Sequence, residues 1–391
     1  MQNAKLTRRE TLRMGLSAAG LLALLPEGAI PALAQGETEV AFTDIPANFN
    51  PANPTDRLRI LDIRKIDGLL TPKDKFYAIQ HHDRPVVDGA AYRLKVSGMV
   101  NKPSEFSLND LRAMPSTEVV AGYECSGNSP RLVQGLVSNG KWKGVRLSAL
   151  LERMGVQADA REVVFFGTDR ATQDIVFRQD TYKLEQQFGR SMTLENAMKP
   201  EPLVAYSLND EPLTREQGFP VRLIVPGWYG VANVKWLAEI HLQEDRYVGN
   251  YQARWYRNLK GEGDSEDPAK LQWVETEVTR QQLKSVIARV TKKNGAYEVL
   301  GFVLNDGTPL TSVEVQVDGG LWQQAKLDPA NTKYSWKLFT YRWDGASPGE
   351  HTLVSRVTDA KGRVQPTSGQ LSNKKTFLQD NAQYPRKIRI T

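Results

Sequence analysis

The chain has 391 residues, 40% of them hydrophobic and 25% charged, with a formal net charge of +6. That length and mixture exclude a disordered chain and leave room for two globular units. Lysine and arginine are spread along the chain without a basic run interleaved with aromatics, which gives no sign of nucleic-acid binding; without the four basic and two acidic residues of the first 34, the balance falls to +4.

Thr7-Arg8-Arg9-Glu10-Thr11-Leu12 precedes an uncharged apolar segment from Met14 to Leu25, and Ala32-Leu33-Ala34 stands before Gln35. Paired arginines, a short apolar run and a small-residue cleavage site predict a twin-arginine signal peptide over residues 1–34 and export to the periplasm. The run is about a dozen residues against the ~20 needed to cross a bilayer, so no permanent membrane anchor is expected. Signals of this type carry proteins that fold before crossing, which already suggests a cofactor.

Residues 36 to about 75, with Phe49-Asn50-Pro51-Ala52-Asn53-Pro54, read as an extended arm rather than a packed element. From Tyr92 the pattern predicts short strands and helices in mixed order. Ser107 can cap a helix carrying Leu108, Leu111 and Met114, and Leu147, Leu150, Leu151 and Met154 recur at helical spacing until Gly155. Strands are predicted at 163–166, 221–225 and 236–242. The polar, Gly-bearing stretch 259–272 predicts a loop near a domain boundary. Beyond about residue 280 the pattern becomes all-β, with strand signals near 285–291, 297–304, 312–317, 334–342 and 351–357. Val313, Val315 and Val317 share one face ahead of the turn Asp318-Gly319-Gly320. Trp322 and Trp336 are candidate core tryptophans of an immunoglobulin-like sandwich. The fold class is α+β, with units over 35–275 and 276–391.

Cys125 is the only cysteine. It excludes an intramolecular disulfide, Cys-x-x-Cys-His haem attachment, cysteine-ligated iron–sulfur clusters and multi-cysteine zinc sites, so a redox centre can use one thiolate at most. It sits in Gly122-Tyr123-Glu124-Cys125-Ser126-Gly127-Asn128, ahead of Gly135 to Val145, and these glycines and asparagines suit a loop that presents a thiolate.

This cluster resembles the molybdenum-binding loop of the sulfite oxidase family, whose cysteine lies in Cys-(Ala/Ser)-Gly-Asn. Further motifs follow in the family's order: Phe166-Gly167-Thr168-Asp169, Ala205 to Asn209, Gly218-Phe219-Pro220-Val221-Arg222, Val225-Pro226-Gly227, Val234-Lys235-Trp236-Leu237 and Gln252-Ala253-Arg254-Trp255-Tyr256. Val313 to Gly320 with Trp322, Tyr334-Ser335-Trp336 and Gln365-Pro366 resemble the family's dimerisation domain. The resemblance covers roughly residues 76 to 366. It implies a molybdopterin-binding catalytic domain followed by a β-sandwich that makes a homodimer, one molybdenum with one pterin per subunit, Cys125 as the metal's protein ligand, and Asp169, Arg222, Asn233, Lys235, Gln80 and His81 as cofactor-binding residues. Arg222 and Lys235 would hold the pterin phosphate and Tyr256 would donate to the reactive oxygen.

The departures from the family fall in the substrate pocket. Ile79 and Pro130 stand where the family carries arginines, and Gln217 replaces a pterin-contacting histidine. Arg131, one residue later, and the His81-His82 loop are the candidates to restore positive charge, which gives Tyr256, Arg131 and His81 as catalytic candidates. The reading is a periplasmic sulfite dehydrogenase passing electrons to an external cytochrome c. The alternatives are the same cofactor acting on another sulfur compound, as a sulfur dehydrogenase or sulfoxide reductase, or a non-catalytic exported binding protein.

Overall fold

The computed structural model describes residues 36–46, 48–51, 58–263 and 267–391; the expected signal peptide lies outside them. Two large sheets and several short helices, Leu108–Ala113 and Leu147–Met154 the longest of them, build the first half of the structure. In one sheet the order is Ser104–Phe106, Leu94–Gly98, Leu237–Gln243, Glu162–Phe177, Asp180–Thr193, antiparallel except where Leu94–Gly98 runs parallel to Leu237–Gln243. In the other, Glu211–Pro212, Leu203–Leu208, Val137–Arg146 and Ser116–Glu124 lie side by side, and Arg222–Ile224 also pairs with Leu203–Leu208.

The helices form where capping and periodicity predict. Ser107 and Asp110 make a reciprocal capping box on Leu108–Ala113, and Leu147–Met154 ends at Gly155 (φ 68°), which takes the positive-φ position that stops the helix. Leu111, Leu147, Leu150 and Leu151 are fully buried in one cluster with Val96, Val163, Leu223 and Ile240.

The second half is a β-sandwich. One sheet runs Thr38–Val40, Lys284–Lys293, Ala296–Leu304, Lys337–Trp343, Lys326–Leu327; the facing sheet runs Gln323–Gln324, Leu310–Val317, Gly349–Asp359, Arg386–Ile390. Val313 and Val315 are buried between them with Val299, Phe339 and Val357, and Asp318 (φ 51°) and Gly319 (φ 70°) take the left-handed turn.

Three expectations are corrected. The arm is packed: Thr38–Val40 pairs in register with the sandwich strand (Thr38↔Lys292), and Leu61, Ile63 and Ile66 are buried against Val286, Phe302 and Trp336. A segment poor in internal hydrogen bonds finds partners on a neighbouring sheet edge. The stretch 259–272 contributes to a hairpin, Arg257–Glu262 with Gln272–Glu277, in which only Asn258 and Gly261 are buried and exposed residues lie on both faces, which its polarity reflects. Trp336 is buried, but Trp322 is only half-buried, with the Arg356 guanidinium 4.2 Å from its ring centroid.

Candidate active site

Cys125 follows the strand Ser116–Glu124 and is held by its neighbours' hydrogen bonds. Its N–H donates to Leu136 O and its carbonyl accepts from Asn128 N–H, each at 2.9 Å. Asn128 braces the turn from inside: its Nδ2 donates to Glu124 Oε2 and Gln134 O, and its Oδ1 accepts from Leu136 N–H. Glu124 also accepts from Lys284 Nζ at 3.1 Å, with both side chains almost fully buried, and Ser126 O accepts from Gln379 N–H. Residues on both sides of the cysteine are therefore tied to the C-terminal half of the chain.

The thiol lines an open cleft whose space, solvent included, is about 790 Å³. Its wall includes Gln80, His81, Cys125, Asp169, Arg222, Asn233, Lys235 and Tyr256, drawn from stretches up to 176 residues apart. Of the nine residues singled out in the sequence, only Arg131 is missing from this wall. It lies exposed on the short turn Pro130–Leu132, because left-handed Val133 (φ 49°) and Gln134 (φ 58°) turn the chain inward to bury Val133 and Leu136. The expectation that Arg131 returns to the pocket is corrected.

Asp169 is aimed by a register shift in the hairpin: pairing between Glu162–Phe177 and Asp180–Thr193 slips between Phe166 and Arg170. A Cβ at Gly167 would lie 2.3 Å from Asp169 Oδ1, so the glycine leaves room for the carboxylate. Burial pushes the Asp169 carboxyl up to about 6, with Lys235 pulling the other way, and its buried Oδ1 has no hydrogen-bond partner among the described residues. Arg222 is 4% exposed, donates to Gln217 O (3.0 Å) and Asn233 O (2.8 Å), and stacks within 5.1 Å of the Trp142 ring centroid and 5.5 Å of that of Tyr123. Its buried Nε likewise has no partner among the described residues. Lys235 Nζ donates to Ile79 O (3.1 Å) and Glu216 O (3.4 Å), and burial together with the Arg222 charge lowers its pKa to about 7.

Asn233 reaches the wall, yet its side chain is engaged in the loop, accepting from Val225 N–H and donating to Tyr229 O. Gln217 likewise accepts from Thr214 N–H and donates to Lys73 O. His81 Nε2 lies 2.7 Å from the Tyr256 hydroxyl, and its ring packs against Phe188, Tyr251 and Trp255. Burial, helped by His82 and Lys235, lowers the His81 pKa to about 4, so the imidazole is neutral at neutral pH. His81 itself therefore brings no positive charge here: in an apolar, ring-lined position the neutral form is favoured. Tyr77, Tyr123, Glu216, Phe188 and Trp236 also line the wall without having been singled out as site residues. Tyr123 stood inside the cysteine motif and Trp236 inside Val234-Lys235-Trp236-Leu237, while the others carried no signal that separates them from packing residues.

The residues fit a molybdenum-pterin group. Among the described residues no three His, Cys, Asp or Glu side chains form a metal cage; the cleft offers the Cys125 sulfur, which burial holds as a thiol, its pKa pushed up to about 11, and which a bound metal would deprotonate. The unpartnered Asp169 Oδ1 and Arg222 Nε are an acceptor for pterin N–H groups and a donor for an anion, both buried and both on residues of this cleft.

Residues 81–251 match the oxidoreductase molybdopterin binding domain. The chain is 28% identical over 353 residues to mitochondrial sulfite oxidase of Drosophila melanogaster, covering 82% of this chain and 59% of that protein. It is 27% identical over 346 residues to sulfite oxidase of Arabidopsis thaliana, covering 77% of this chain and 83% of that one. The chain thus spans about three fifths of the animal relative's length. Its fold matches the crystal structure of the sulfane dehydrogenase SoxCD from Paracoccus pantotrophus with a TM-score of 0.71 at 22% identity, over 100% of this chain and 96% of that chain.

Proposed function

The chain belongs to the sulfite oxidase family of molybdopterin-binding oxidoreductases, and we propose that within it this protein is a periplasmic sulfite dehydrogenase. The observation that carries this reading is the convergence of the lone thiolate donor, Cys125, with Asp169, Arg222 and Lys235 on one cleft. The net reaction is sulfite plus water giving sulfate, two protons and two electrons, the electrons leaving singly to an external cytochrome c.

When bound, the molybdenum-pterin supplies a two-electron acceptor for the sulfur lone pair. Cys125 would be its protein sulfur ligand, Arg222 and Lys235 would hold the pterin phosphate, and Asp169 would accept from pterin N–H groups. A phosphate beside Lys235 favours its protonated form, offsetting the burial that depresses its pKa. Neutral His81, as the Nε2–H tautomer, donates to the Tyr256 oxygen and leaves the phenolic hydrogen for the substrate's oxygen.

A second reading keeps the cofactor and changes the substrate to a sulfane sulfur. With Arg131 outside the cleft and His81 neutral, neither candidate brings a cation to the substrate, and the fold resembles a sulfane dehydrogenase. Sulfite-dependent cytochrome c reduction by metal-loaded protein decides between them: turnover supports the first reading, and turnover with a persulfide but not with sulfite supports the second.

The division into a catalytic unit over 35–275 and a dimer-forming sandwich over 276–391 belongs to the same proposal, as does export. Two-fold pairing is the commonest closed assembly, and sedimentation at micromolar concentration tests it. Replacing Arg8 and Arg9 by lysine should hold the precursor in the cytoplasm; unchanged periplasmic yield would point to another route.

A further inference from the structure

Arg190 lies near the end of the strand Asp180–Thr193, outside the cleft wall and 1% exposed. Its Nη1 donates to Tyr251 O and its Nη2 to Val278 O (2.7 Å), while its buried Nε has no partner among the described residues. Among the described residues no carboxylate pairs with it. Glu277, the acid with the largest charge effect on it, is engaged by Arg246, Arg257 and Gln252. The guanidinium lies 5.8 Å from the ring centroid of Tyr256, which lines the cleft and feels the charge of Cys125. Burial lowers the Arg190 pKa to about 10, which leaves it charged at neutral pH.

A buried cation without a counter-ion is costly, and the cost falls when an anion sits within reach in the low-dielectric interior. Glu277 is committed to other cations, and the cleft lined by Tyr256 is the place left for that anion. The sulfite reading calls for such a charge, because Arg131 lies exposed outside the cleft wall, His81 is neutral, and Arg222 and Lys235 are assigned to the pterin phosphate.

Resting on the sulfite reading above, we infer that Arg190 is a positioning residue for an oxyanion substrate: from behind Tyr256 it supplies the positive field that holds sulfite or sulfate in the cleft. It touches neither substrate nor cofactor and acts across the Tyr256 ring.

The test compares molybdenum-loaded wild type, Arg190→Met and Arg190→Lys by sulfate titration calorimetry and by sulfite kinetics, after metal content and near-ultraviolet circular dichroism. Methionine keeps the volume and removes the charge; lysine keeps the charge and gives up one of the two carbonyl bonds. In Arg190→Met the sulfate Kd and the sulfite KM should both rise about tenfold or more with kcat within about threefold, and Arg190→Lys should keep sulfate affinity within about threefold. If the methionine variant does not fold, the lysine variant carries the test. An unchanged sulfate Kd in Arg190→Met overturns the proposal. So does a metal-loaded Arg190→Lys that loses affinity, because a purely structural arginine would behave that way. Wild type that binds sulfate but does not oxidise sulfite refutes the proposed function and leaves the calorimetric comparison to decide Arg190; wild type that binds no sulfate overturns the inference itself.

Discussion

Replacing Lys284 by methionine should destabilise the protein and loosen the cysteine loop, because Lys284 and Glu124 form an ion pair at 3.1 Å with side chains 2% and 1% exposed. At an effective dielectric of about 20 that separation corresponds to an attraction of about 5 kcal/mol, and removing one member of a buried pair ordinarily costs about 3–5 kcal/mol through the charge left behind. Asn128 Nδ2 still donates to Glu124 in the variant, which places the expected loss toward the lower part of that range. Removing both charges, as Lys284→Met with Glu124→Gln, leaves no orphaned ion and should recover at least about 2 kcal/mol of the single-variant loss. Urea unfolding of the four cofactor-free proteins, followed by tryptophan fluorescence, gives the double-mutant cycle. A single-variant loss below about 1 kcal/mol, or a double variant as unstable as the sum of the singles, would refute the reasoning.

Cys125→Ser should fold with an unchanged far-ultraviolet spectrum and lose the sulfur-to-molybdenum charge-transfer absorption together with nearly all turnover, since a hydroxyl is the harder and weaker donor; wild-type turnover in that variant would remove the cysteine from the metal site. Tyr256→Phe should lower kcat about tenfold or more at full metal content, because one hydrogen bond at the reacting oxygen is removed, and metal analysis showing loss of molybdenum would make the tyrosine structural. In the cofactor-free protein Lys235 has a folded pKa of about 7 against its ordinary 10.5. Between those values the unfolded chain holds a proton that the folded chain has lost, so this group's contribution raises stability with increasing pH. Lys235→Met should therefore gain most in Tm over the wild type near pH 7 and lose that gain toward pH 10, and a difference independent of pH would count against the buried ammonium.

The helices and sandwich strands were legible because their signals are local. A capping box at Ser107 and Asp110, a glycine stop at 155 and alternating valines at 313, 315 and 317 each follow from neighbouring residues. The site residues were legible only through ordered motifs: no periodicity links Gln80 to Tyr256, and the strands that bring them to one cleft were not themselves predictive of it. Arg131 misled because its direction depends on two left-handed residues that carry side chains, Val133 and Gln134, where sequence offers no glycine to announce the turn. The outer part of the hairpin 162–193 escaped because its residues are exposed on both faces, including Val176, Phe177, Tyr182 and Leu184. Arg190 escaped for the opposite reason, being one charge in an apolar strand end, where charge normally marks the surface.

The pairing of Thr38–Val40 with Lys284–Lys293 has a consequence for assembly in time. Contacts such as Thr38 with Lys292, and Arg386 with Asp44 at 3.1 Å, join residues 254 and 342 positions apart. During synthesis the arm has to wait for nearly the whole remainder of the chain before its partners exist. Late closures of this kind raise the contact order and slow folding, leaving sheet edges open to the wrong partner in the meantime. Because Lys284 and Gln379 brace the loop around Cys125 from the same late-arriving half, the cysteine's final geometry is set only when the last strands dock, and a ribosome-bound chain ending near residue 280 should hold the metal-binding loop unbraced.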